Sequence, residues 1–140
     1  MHKLYTSKYQ SQATQLSNNI ASLVVALCEK GISCISNAID AHKKNDKPGW
    51  CSNLGTVQEV INIISTTLVV EKEDQAILEM RKFYKQLSLY TSALIADRID
   101  AAKAQDLLES FRITRDTWRN VEQKYIEEAN LVTRVVLENL

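Results

Sequence analysis

Few residues in this chain could do chemistry. The histidines are His2 and His42, and the cysteines are Cys28, Cys34 and Cys51. A metal centre needs three or four His, Cys, Asp or Glu ligands converging at characteristic spacings. Neither histidine has such a cluster near it in sequence. No glycine-rich phosphate loop, paired CxxC unit, HExxH segment or GxSxG elbow occurs. His42 stands near the end of a helical pattern, beside Lys43, where a solvated or dipole-stabilised imidazole is the simple reading. A phosphotransfer histidine would instead stand in mid-helix on an exposed face. Glu71, Glu73 and Asp74 form a charged link sooner than a carboxylate site. Cys28 and Cys34 are six apart, on different faces of a helix, and read as small buried hydrophobes rather than a redox pair. The residue types therefore predict no catalytic residue, no metal ligand and no cofactor.

Charge and composition narrow the class. Lys plus Arg equals Asp plus Glu, at 17 each, and the chain has 140 residues. There is no global pull toward nucleic acid or an anionic membrane. The basic residues Lys3, Lys8, Lys43, Lys44, Lys47, Arg112, Arg115 and Arg119 are dispersed and not interleaved with aromatics, unlike a nucleic-acid stripe. An odd number of cysteines set in apolar stripes suits reduced thiols and a cytoplasmic location. No leader pattern opens the chain, and no membrane insertion is expected. Three glycines and one proline leave little turn material, so the elements are helices.

The longest stripe lies between Leu16 and His42. Apolar residues at Leu16, Ile20, Leu23, Val24, Leu27, Cys28, Ile32, Ile35 and Ile39 step by three and four, which predicts a first helix over 17–42. The preceding residues 1–16 read as a mobile arm carrying Tyr5 and Tyr9. Asn45, Asp46, Pro48 and Gly49 are turn formers. A second helix is expected over 52–67, on Leu54, Val57, Ile61, Ile64 and Leu68. Its β-branched residues favour strand locally, but one strand would have no partner. A third helix over 74–97 uses Ile77, Met80, Phe83, Tyr84, Leu87 and Leu94. A fourth, capped by Asp100, spans about 101–137 and outreaches the others. The architecture expected is all-α: one domain over 1–140, an antiparallel four-helix bundle over 17–137 with an N-terminal arm and an extended last helix. The first two helices carry more apolar surface than one inward face requires, which points to a fatter core or a groove for a partner helix.

Several segments resemble the flagellin-specific export chaperones of bacteria. The arm with Tyr5 and Tyr9 resembles that family's tyrosine-bearing arm. NNIASLVVALCEKGISCISNAIDA, 18–41, resembles its first helix, with Leu27, Glu29 and Gly31 in the characteristic neighbourhood. VQEVINIISTTLVVEKED, 57–74, resembles its second helix through Ile61, Ile64 and Leu68. MRKFYKQLSLYTSAL, 80–94, resembles the third through Phe83 and Tyr84. LLESFRITRDTWRNV, 107–121, resembles the last, which closes near a tryptophan, here Trp118. The likeness covers about 5–121, and the tail from Gln123 to Leu140 is longer than usual.

The resemblance implies a non-catalytic cytoplasmic chaperone. It would bind the disordered C-terminal part of flagellin, or a related secreted subunit, prevent premature polymerisation and assist delivery to the export apparatus. It implies that Tyr5 and Tyr9 cover a groove until a client displaces them. Leu23, Leu27, Ile32, Ile61 and Ile64 are the aliphatics expected to wall that groove, with ordinary core as the alternative for each. Two other readings stand beside it. One is a structural or adaptor bundle that self-associates, as a homodimer, through its long C-terminal helix. The other is a small helical enzyme or histidine phosphotransfer domain.

Overall fold

A computed structural model describes residues 10–69, 75–96 and 100–140. Four helices follow in order: α1 (Gln10–Lys43), α2 (Lys47–Val69), α3 (Gln75–Ala96) and α4 (Ala101–Glu138). They form the expected all-helical bundle, and among the described residues there is no strand. Two boundaries differ from the sequence expectation. Helix α1 begins at Gln10, not near Ser17, so the second half of the expected arm is helical. Helix α2 begins at Lys47, five residues earlier than expected.

The early start of α2 has a local cause. Asn45 takes φ 57°, the left-handed conformation that ends a helix. The Asn45 amide donates to His42 O (3.0 Å) and the Asp46 amide to Ala41 O (2.8 Å), which satisfies the last carbonyls of α1. Asp46 then caps the next helix, its Oδ1 accepting from the Gly49 amide at 3.0 Å. Pro48 falls in the first turn, where its missing N–H costs nothing. The same residues that read as turn formers thus complete one helix and start another within three positions. Helix α4 is capped as expected, with the Asp100 carboxylate accepting from the Lys103 amide at 3.1 Å.

Cross-helix contacts fix the topology. Along α1 and α4, Ser22 donates to Glu122 (2.5 Å), Glu29 pairs with Arg119, and Gly31 lies under Phe111. The numbers rise on one helix as they fall on the other, so the two are antiparallel. Gln58 donates to Ser88 between α2 and α3, which are antiparallel in the same way. Helix α1 packs on both α2 and α4, α2 also packs on α3, and α3 with α4 is the sparsest of the four contacts. The ring of helices is thus closed on three sides and slack on the fourth.

The core explains why α1 is so apolar. Its stretch Ile20–Lys43 is long and apolar enough to cross a membrane by length and composition. Here Ala21, Val24, Val25, Cys28, Cys34, Ile35, Ala38 and Ile39 are all buried, on an arc that serves two neighbouring helices. Helix α2 is helical despite its β-branched content because Val57, Val60, Ile61, Ile64 and Leu68 are all buried on one side. Each such side chain contributes about 1.5–3 kcal/mol, more than its deficit in helix propensity. Trp50 closes one end, 1% exposed, with its indole N–H donating to Leu94 O at 3.1 Å.

Candidate functional site

The aliphatics expected to wall a groove do not share one face. Ile61 and Ile64 are each 1% exposed and lie in the core, so both are corrected from groove to packing residues. They occupy the inward side of α2, where α1 and α3 cover them. Leu27 and Ile32 are partly buried and pack against the core from its edge. Leu23 is exposed. At about 100° per residue, Leu23 and Leu27 stand together but Ile32 lies about 140–180° round the helix from them. A single groove cannot use all three. Tyr5 and Tyr9 lie outside the described residues.

The open surface is elsewhere. Between α3 and α4 runs a groove of about 310 Å³, lined by Phe83, Gln86, Leu87, Tyr90, Asp106, Leu107 and Ser110. It exists because two adjacent aromatics on α3 divide their roles. Neighbouring residues on a helix diverge by about 100°, so Phe83 and Tyr84 cannot both point inward. Tyr84 does, at 2% exposed, while Phe83 is 40% exposed and meets the Tyr84 ring edge-on with centroids 5.4 Å apart. The groove floor is Leu87 and Leu107, and its rim carries Gln86, Ser110 and the Asp106 carboxylate. That mixture, an apolar floor with a few polar groups at the edge, suits one or two anchoring side chains of a peptide.

Polar bonds hold α3 and α4 at this separation. The Trp118 indole N–H donates to the Tyr84 hydroxyl at 2.8 Å, in the core behind the groove. The Tyr90 hydroxyl donates to Lys103 O at 3.2 Å at the other end. Burial pushes the Tyr84 hydroxyl up to about 12, against the opposing pull of the Trp118 bond. Burial likewise pushes the Cys28 thiol up to about 12, with Arg115 opposing. A reactive thiolate is therefore not available at Cys28, consistent with a packing role.

Those two groups predict an alkaline response. Both hold their protons more tightly when folded than at their ordinary values of 9.0 for Cys28 and 10.0 for Tyr84. The stability they supply is complete below pH 9 and is lost as pH rises toward about 12. The thermal midpoint, followed by circular dichroism, is expected to fall through that window. Cys28→Ala combined with Tyr84→Phe should flatten the fall while lowering the starting value.

The residues of this groove were poorly marked in sequence. Phe83 belongs to the helical stripe and reads as core. The one local clue is its adjacency to Tyr84, since one of two neighbouring aromatics must leave the inward face. Asp106, Gln86 and Ser110 carry no signal at all, because their significance depends on α3 lying across from α4. Among the described residues no cluster of three or more His, Cys, Asp or Glu could hold a metal ion.

Comparison with known proteins agrees with the resemblance read from the residues. A family model described as Flagellar protein FliS matches residues 1–125. No curated protein matches the chain, and no solved structure does.

Proposed function

The chain belongs to the Flagellar protein FliS family, non-catalytic chaperones of flagellum biogenesis, and from that premise we propose that it acts in the cytoplasm on the C-terminal region of flagellin. The client is kept from polymerising early and is handed to the export apparatus, a component of which is the second partner. The observation that supports this reading is the slack α3–α4 side, where Phe83, Leu87, Tyr90 and Leu107 offer an apolar trough. A disordered client pays its ordering cost on binding, so it needs anchors of this kind spaced along a surface. Leu23, exposed on α1, with Leu27 at the core edge beside it, provides a second anchor point. Ile32, on another side of α1, provides a third at the α1 flank. Tyr5 and Tyr9 act as the displaceable cover. The whole chain works as one helical-bundle domain.

Isothermal calorimetry of the full chain against the C-terminal segment of flagellin tests the assignment. Binding at low micromolar or tighter is expected. No heat at tens of micromolar would remove flagellin as the client.

A further inference from the structure

The trough between α3 and α4 has an uneven charge. Of the residues that line it, only Asp106 is charged. Asp106 is exposed at the rim, and among the described residues it takes part in no hydrogen bond or ion pair. Lys82 on α3 and Lys103 on α4 are the nearest cations along each helix. Both are exposed, and neither lines the trough. Opposite Asp106, α3 presents Phe83, Gln86, Leu87 and Tyr90, all uncharged. Burial raises the Tyr90 hydroxyl above its ordinary 10.0, and the Asp106 and Asp100 carboxylates raise it further. An anionic field therefore reaches across the mouth of the trough to α3.

We propose that this trough selects a helical segment carrying a lysine or arginine three or four residues from its apolar anchor, and that Asp106 makes the choice. The inference rests on the trough being the client surface, and it holds whichever protein supplies the client. The floor of Leu87 and Leu107 has no hydrogen-bonding group on its side chains. An extended segment would leave its own N–H and C=O groups over that floor, whereas a helix satisfies them internally. Leu107 and Asp106 are neighbours on α4, so the client's anchor and its charge must also lie close together. On a helix, residues three or four apart share a face. A client side chain on the floor also strips water from the adjacent carboxylate. A client cation offsets that loss, and a client glutamate there would meet a like charge. The volume of about 310 Å³ is at the small end of binding pockets, which suits anchoring side chains.

Peptide display on the full chain tests the proposal. The probe is a library of helix-forming peptides of about 16 residues, long enough to hold some helix in water, with free choice of charge. Clones that bind the wild type and are lost on Phe83→Glu are the trough binders. They are expected to carry Lys or Arg three or four residues from a large apolar side chain. The same selection on Asp106→Lys should return Asp or Glu at that place. Asp106 and Phe83 are exposed, so both variants should keep the helical circular dichroism of the wild type. Calorimetry on one wild-type clone completes a double-mutant cycle. Neutralising the peptide cation to Gln, and Asp106→Asn in the chain, should each weaken binding roughly fivefold, and together no more than either alone.

Trough binders without a charge preference overturn the proposal. So does a preference for Lys and Arg that survives Asp106→Lys, and so does a library that yields no trough-dependent clone. The flagellin assignment is judged separately. If the flagellin C-terminal segment gives no heat while the peptides show the reversal, the client is another protein and the charge preference stands.

Discussion

Replacing Phe83 by glutamate is expected to weaken binding of the flagellin C-terminal segment at least tenfold with little change in stability. Phe83 is 40% exposed and forms one wall of the trough between α3 and α4, so the charge enters solvent in the free chain and a desolvated contact in the complex. Exposed substitutions away from special features alter stability by about 0.5 kcal/mol. Ile64→Ala should do the opposite. Ile64 is 1% exposed, and truncating such a side chain costs about 2–5 kcal/mol. For a chain of this size that is a fall in thermal midpoint on the order of 10 °C. Calorimetry and thermal melts on the two variants distinguish the site from the core. Equal loss of binding at 20 °C in both, with Ile64→Ala still folded, would return Ile64 to the client surface.

The second large effect is expected at Gly31. A methyl group there would run into Phe111 Cε2 and stand 2.6 Å from Cδ2, far inside contact distance. Phe111 is 2% exposed, so its ring must shift within the core to make room. Gly31→Ala gains about 1 kcal/mol in helix propensity but forces overpacking that costs about 1–3 kcal/mol. Gly31→Val adds bulk without further propensity gain and should destabilise by about 3 kcal/mol. Gly55→Ala is the internal control. Nothing lies within 4 Å of its added Cβ, so it should stabilise α2 by about 0.5–1 kcal/mol. Denaturant unfolding of the three variants measures the contrast. Combining Gly31→Val with Phe111→Ala should cost less than the sum, because the smaller residue vacates the space the valine needs.

Gly31 and Phe111 are 80 residues apart by number, and that distance separates what could be read locally from what could not. A glycine inside a helical pattern is only a small cost in propensity when seen in sequence. Its necessity appears when α4 lays an aromatic ring across it. Asp46 is an intermediate case. Its turn-forming character was readable, but the use of that residue to cap α2 directly after the left-handed Asn45 depends on how tightly α1 and α2 fold together. Asp100 was readable outright, because an N-cap bond reaches only three residues ahead.

By itself, the sequence determined the number and type of the helices, the long reach of α4 and the resemblance that the family match supports. These depend on periodicity, capping and residue type, all of which act within a few turns of chain. Only the tertiary structure decided which apolar residues are covered. A stripe shows that a helix has a face to bury, not which neighbour buries it. Helix α1 uses its wide arc on two partners, α2 sinks Ile61 and Ile64 into the core, and the surplus surface appears on α3 at Phe83 and along the tail of α4. The cause is the spacing of the ring: of the helices that touch, α3 and α4 pack together least, and α4 stays exposed from Ile126 onward.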